Sequence, residues 1–364
     1  MYRHDDRERH EGGIAASVPD VPGSIGDRTV PAYENAEGEA PPKRVLIFGF
    51  SVTALPGYVS SLRALLGERR VVIESRGIGG INIGSVPYLH TVLEYERYDH
   101  VFFEVTTCHR YSEQAPEVYG ETLARIVAQV RDRGAEPAFL HLYREGVDHD
   151  DDRLLAAAAS LCSEAKVPYL DLVPPMIEFR TKGLLSRYLR DGVHTTGAGA
   201  EFYARAMLPF LDRVLDDGRA PRTAGGKDAH PTHATVPVDR LFAAEAIGTF
   251  ERGNVTMPLV EIPANTSRRF DVPAGYSFEG FLYLRGPRAG IMEVEIEDRV
   301  ALRLAAFDQH SYYRRYSTWS SSCGTTSAVT VRQLPDEPEI RLLKGEPDPG
   351  PRVGEICGLF VSAL

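Results

Sequence analysis

The chain has 364 residues and a net charge of −10, from 41 basic and 51 acidic side chains. That length accommodates two ordinary domains, and a hydrophobic content of 43% belongs to a folded polypeptide, not a disordered one. The acidic balance, with no basic block, excludes nonspecific nucleic-acid binding and an anionic membrane surface as partners, and no apolar run approaches the ~20 residues of a membrane helix.

The first 13 residues, MYRHDDRERHEGG, are charged where an export signal carries its apolar stretch, so the expected location is cytoplasmic. Residues 1–42 hold few large apolar groups among Pro, Gly, Asp and Glu, and read as a mobile arm. The character changes at Lys43. RVLIFGF (44–50), VVIES (71–75), HVFFEV (100–105), PAFLHLY (137–143) and VPYLDLV (167–173) are apolar runs of the kind a buried parallel strand requires. Helical segments separate them, the longest over Pro116–Gly134, and a final helix follows Thr195. Strands alternating with helices predict an α/β domain over 43–217: a flavodoxin-like three-layer sandwich on a five-stranded parallel sheet. Ligands of such sheets lie beyond the C-terminal strand ends.

Residues 218–237 contain no periodic segment and read as a linker. Beyond it, short alternating stretches such as SFEGFLYLRG, IMEVEIED and EICGLFVSAL predict an antiparallel β-sandwich, jelly-roll-like, over 238–364. A chain ended near Gly218 is expected to fold, because the five-stranded domain contains its own core. The β-domain offers a surface for oligomerisation.

Chemistry gathers at three places. Ser51, in GFSVT, directly follows the first strand, where a helix start aims backbone N–H groups at it. A serine hydroxyl needs a base to become a nucleophile, and a carboxylate fixes that base's tautomer. Asp191 and His194, three residues apart in RDGVHTTG, can supply both. The Gly-rich GIGG (77–80) after the second strand can bring backbone N–H groups to a developing oxyanion. It lacks the GxGxxG spacing of a dinucleotide site, and GxSxG is absent. Taken singly, Ser51 is a helix cap, Asp191 a turn residue and His194 a surface histidine. Their combination is what points to catalysis.

These residues resemble the SGNH, or GDSL-type, hydrolases over about 43–217. GFSVT looks like the first block, RGIGG like the second with Gly80 as its oxyanion glycine, and DGVH like the fifth block's Asp-x-x-His. The resemblance implies Ser51 as nucleophile, His194 as base and Asp191 as its orienting carboxylate, with no cofactor and no metal. The oxyanion would meet the N–H groups of Ser51 and Gly80. Two positions depart from the pattern. Phe50 replaces the aspartate that usually precedes the serine. TTCH (106–109) stands where GxND is usual, so Cys108 falls at the asparagine that supplies an oxyanion donor. A thiol is a weak donor, and Thr107 or Thr106 is the available substitute.

Four other features read more plainly. Glu104 ends the third strand near the site, as a solvated or paired carboxylate. His141 reads as a hydrogen-bonded structural histidine. HDDD (149–152) reads as a solvated loop. SYYRRYSTWSS (311–321) mixes aromatics and arginines, which suits carbohydrate stacking or interface packing. The four cysteines form no CxxC pair, so neither a zinc ribbon nor a disulfide framework is expected. The favoured function is a serine esterase removing an O-acyl group, foremost O-acetyl, from a carbohydrate or small-molecule ester. The alternatives are an O-acyltransferase with the same triad and a non-catalytic binding or assembly protein.

Overall fold

Strand β1 (Lys43–Gly49) is buried on both sides, with Val45, Leu46, Ile47 and Phe48 fully inaccessible. Leu46 and Phe48 point into one apolar cluster, Val45 and Ile47 into another, as the period-2 geometry of a central strand dictates. A single helical turn, α1 (Ser51–Ala54), follows, then α2 (Tyr58–Leu66) and β2 (Val71–Gly77). A 3₁₀ segment, Ile83–Leu89, runs into α3 (His90–Leu93), ahead of β3 (His100–Glu104). Next come α4 (Pro116–Asp132), β4 (Glu136–His141), α5 (Arg153–Ala165) and β5 (Tyr169–Asp171), then α6 (Val173–Thr181), α7 (Leu185–Tyr188) and α8 (Gly197–Asp216). The strands form one parallel sheet in the order β2-β1-β3-β4-β5, the doubly wound order whose ligand crevice opens beyond the end of β1. The computed structural model describes residues 41–364 apart from 56, 68, 217–232, 243–246, 298, 321–325, 337–338 and 347.

Ten strands follow: β6 (His233–Pro237), β7 (Gly248–Arg252), β8 (Val255–Pro263), β9 (Ser267–Asp271), β10 (Tyr276–Arg285), β11 (Ile291–Ile296), β12 (Arg299–Ala305), β13 (Arg315–Ser320), β14 (Ala328–Gln333) and β15 (Val353–Ala363). One antiparallel sheet runs β13-β10-β15-β8-β7 with β6 also paired to β15, and a second runs β12-β11-β14-β9. Side chains of both sheets, among them Phe278, Phe281, Val294, Val331 and Leu359, share one core. The expected α/β sheet with a C-terminal antiparallel sandwich is therefore present. The expected arm lies outside the described residues as far as residue 40, and the expected linker does so over 217–232. The linker's last five residues differ from the expectation: His233–Pro237 pairs with β15 as β6.

The central strands of the larger sandwich sheet are buried on both faces. In β8, Val260 and Ile262 face the sandwich core, while Val255, Met257 and Leu259 join the cluster that contains Phe48, Phe50, Ile78 and Ile81. Tyr283 and Leu284 of β10 divide in the same way, as do Leu359 and Phe360 of β15. The Phe360 ring stacks on Tyr88 at 4.7 Å. Polar bonds stitch the same seam: Gly77 N–H donates to Gly253 O at 2.8 Å, and Asn254 Nδ2 donates to Ser75 O at 2.9 Å. Gly253, at φ +61°, admits no side chain, since a β-carbon there would stand 2.0 Å from Gly77 O. Pro42 to Leu364 accordingly forms one compact unit. The expectation that the α/β part folds without the sandwich overlooked this shared core.

Candidate active site

Ser51 begins α1 directly after β1, and its hydroxyl lies 2.9 Å from His194 Nε2. His194 Nδ1 lies 2.8 Å from one Asp191 oxygen and 3.0 Å from the other. Nδ1–H therefore donates to the carboxylate and Nε2 accepts from serine, the tautomer a general base needs. The loop that carries both residues is closed on itself: Arg190 N–H donates to His194 O at 2.9 Å, and Leu189 bridges Thr195. At its turn Gly192 adopts φ +76°, and a β-carbon there would stand 2.4 Å from Glu145 Oε2. Partial burial pushes the Asp191 carboxyl upward. The His194 N–H and ring and the Val193 N–H outweigh it and leave the group below its ordinary value, so the carboxylate stays charged beside the imidazole.

Glu104 holds the turn that carries Ser51 from beneath. It is fully buried, which removes the solvated one of the two expected readings, and its Oε2 accepts from Thr53 Oγ1 at 2.6 Å and from Phe50 N–H at 3.3 Å. Tyr58 extends the chain at 2.7 Å from Thr53 Oγ1. A β-carbon on Gly49 would stand 2.3 Å from Glu104 Oε2, so only glycine leaves room for it. Desolvation raises the Glu104 carboxyl to about 7, against the opposing bonds from Thr53 and Phe50.

A group whose folded pKa is raised stabilises fully below its unfolded value, and that contribution is lost as pH climbs through the folded one. Glu104 is therefore expected to contribute about 3 kcal/mol less stability at pH 7 than at pH 4.5. Burial pushes His90, His141 and His233 down to about 4, which tilts stability the other way. The informative quantity is thus the difference between Glu104→Gln and the parent in urea midpoint across that pH window. That difference should grow in the variant's favour as pH rises. An unchanging difference would show that Glu104 does not titrate there.

The cavity above Ser51 measures about 1130 Å³ and is lined by Gly79, Gly80, Asn82, Asp191 and His194 on one side. Gly80 has φ +81°, and Gly79 packs against Ser51, where an added β-carbon would meet Ser51 Cβ at 3.2 Å. Ser51, Gly80, Asp191 and His194 are thus brought together. Cys108, Thr107 and Thr106 do not join them. Cys108 is fully buried in the core, takes a bond from Gln114 Nε2 at 3.5 Å, and has its thiol pushed up to about 12 by desolvation. Thr106 Oγ1 is committed to both the N–H and the C=O of Leu142, at 2.8 and 2.6 Å. Thr107 is buried, with no partner for its hydroxyl among the described residues.

Asn82 is the polar side chain of this wall that the sequence reading passed over. Its Oδ1 caps the 3₁₀ segment by accepting from Gly84 N–H at 2.8 Å, which leaves its NH₂ for a ligand. His141 also differs from expectation. It is fully buried against Tyr169, and neither ring nitrogen has a partner among the described residues. In the acidic loop, Asp152 caps α5 by accepting from Leu154 and Leu155 N–H.

The opposite wall comes from the sandwich: Arg252, Tyr283, Arg285, Tyr313, Arg315 and Trp319, with Asp308, Tyr312 and Lys344 beside them. Within the aromatic and arginine-rich stretch, Tyr312, Tyr313, Arg315 and Trp319 thus line the same cavity as Ser51.

No protein-family model matches the sequence, and no curated protein sequence matches it. Solved structures do. A two-domain esterase active on acetylated mannans, co-crystallised with mannopentaose, aligns over 89% of this chain and 91% of its own, at 14% identity and a TM-score of 0.61. A second structure of a two-domain esterase active on acetylated mannans aligns over 89% and 92%, at 13% identity and a TM-score of 0.61. An acetylxylan esterase from Geobacillus stearothermophilus covers 47% of this chain and 94% of its own, at 19% identity and a TM-score of 0.39. The first two share this chain's fold across both the α/β part and the sandwich.

Proposed function

We propose that the protein is a serine esterase that removes O-acetyl groups from a carbohydrate through an acyl-enzyme. The observation that carries this reading is the continuous relay Ser51 Oγ–His194–Asp191, at 2.9 and 2.8 Å. Ser51 Oγ attacks the ester carbonyl as its proton passes to His194 Nε2. The resulting oxyanion is met by the N–H groups of Ser51 and Gly80 and by the Asn82 amide, donors fixed before the charge appears. Collapse expels the sugar hydroxyl, which takes the proton back from His194. Water then attacks the acetyl-serine, again losing its proton to His194, and collapse expels Ser51 Oγ, which takes that proton back as acetic acid leaves and ionises to acetate. Asp191 holds the imidazole in the productive tautomer and stabilises its cation in both halves.

The shared fold with esterases active on acetylated mannans favours a carbohydrate as the alcohol, and the aromatic faces of Tyr312, Tyr313 and Trp319 in the cavity wall suit a sugar ring. A fluorophosphonate probe tests the activation of the serine. Labelling is expected at Ser51 by mass spectrometry, together with acetate release from 4-nitrophenyl acetate. Failure on both counts would indicate a binding protein. Product that appears only when a second hydroxyl compound is supplied would indicate acyl transfer.

A further inference from the structure

The cavity has a charge opposite to that of the protein that contains it. Among the described residues, Arg110, Arg190, Arg252, Arg285, Arg315 and Lys344 line it, against the carboxylates of Asp191 and Asp308, within a chain of net charge −10. Two of these cations are built in at a cost. Arg285 on β10 and Arg315 on β13 stand directly opposite each other in the strand register, and like charges so placed destabilise a sheet. One carboxylate serves both: Asp308 Oδ2 contacts Arg285 at 2.5 Å and also Arg315. Burial pushes Asp308 upward, but Arg315, the His310 N–H and Arg285 together hold it down at about 2. One negative charge thus faces two guanidinium groups.

Arg315 is 9% exposed, and its second terminal nitrogen has no partner among the described residues. Buried donors left open in this way are costly unless a ligand meets them. The guanidinium reaches to the edge of the catalytic loop, where a β-carbon on Gly80 would stand 3.8 Å from Arg315 Nε. Tyr313 lies between Arg252, at 4.4 Å from its centroid, and Arg315, at 5.6 Å, so its ring holds both cations toward the cavity.

Resting on the esterase reading above, we propose that the acetylated substrate is a sugar acid, whose carboxylate is received by Arg315 with Arg252 beside it. A guanidinium offers paired donors to a carboxylate, and the remaining cations draw an anionic chain toward Ser51. A neutral sugar would leave the open Arg315 nitrogen without an anionic partner.

The test separates this proposal from the reading it rests on. Binding of methyl glucuronoside and of methyl glucoside to the full-length protein is measured by calorimetry, which requires no turnover. The acid is expected to bind roughly tenfold or more tightly at low ionic strength, with the advantage shrinking as salt is added. Arg315→Gln and Arg252→Gln should each reduce that ratio, Arg315→Gln toward one. Hydrolysis of O-acetylated methyl glucuronoside should likewise exceed that of the matching glucoside in kcat/KM. Equal binding of the two sugars, or a preference unaffected by either variant, overturns the proposal even when 4-nitrophenyl acetate is cleaved. Preferential binding of the acid without any ester cleavage would uphold the anion site and reject the esterase.

Discussion

Ser51→Ala is expected to fold as the parent does and to lose hydrolysis of 4-nitrophenyl acetate by about 10⁵–10⁶-fold, the scale of removing the nucleophile from a serine triad. The substitution deletes one oxygen from a half-buried position, and the turn survives because its restraints lie elsewhere. Glu104 holds Phe50 N–H and Thr53 Oγ1, and Ala54 N–H donates to Phe50 O at 2.9 Å. Thermal melting should therefore remain within about a degree of the parent, as a change that creates no cavity and strands no buried group allows. Fluorophosphonate labelling should disappear with the hydroxyl. Retention of more than a small fraction of parental turnover, in protein free of contaminating esterase, would mean that another group attacks the ester.

A chain ended after Asp216 should not yield a soluble, cooperatively folded esterase. Val255, Met257, Leu259, Leu282, Leu284 and Phe360 are each at most 3% exposed, within a cluster shared with the α/β part. Full burial of such a side chain contributes about 1.5–3 kcal/mol. Even discounted for a compact unfolded chain, the loss of this face is comparable to the ~5–15 kcal/mol that stabilises a typical domain. The truncated protein is expected in the insoluble fraction, or as a species that binds a hydrophobic dye and lacks near-ultraviolet circular dichroism. A monomeric fragment with a sharp melt near that of the full chain would show that the sandwich is dispensable for folding.

The parallel sheet was legible because each strand is buried on both faces, and a doubly buried strand is written as an unbroken apolar run. The meeting of Ser51, Asp191 and His194 was legible because an activated serine would need just those partners, and two of the three are neighbours in one turn. Cys108 was misplaced because the chain leaves β3 by a turn that Thr106 pins to Leu142, which carries residue 108 into the core. Asn82 carried no such signal, because the glycines dominate the sequence of its loop. The double burial of the sandwich sheet had a trace in the sequence: EICGLFV is nearly as continuous as RVLIFGF, where a sheet with one wet face alternates. That Arg315 lies beside Gly80 had no trace, since the two are brought together only by the packing of β13 against the α/β part.

Among the described residues, strand β13 ends its sheet, paired on one side, to β10. An edge strand accepts substitution more readily than a central one, because fewer neighbours constrain each side chain. Arg315, Ser317 and Trp319 alternate along it with Tyr316, whose hydroxyl donates to the backbone of Phe250 and Val255 and anchors the strand. The cavity-lining side chains of this strand can therefore drift while Tyr316 keeps the strand in place, and Ser51, His194 and Asp191 on the other wall need not change at all. If the proposed esterase activity holds, such an arrangement lets one hydrolytic machine change its substrate by rewriting a handful of codons far from those of Ser51 and His194.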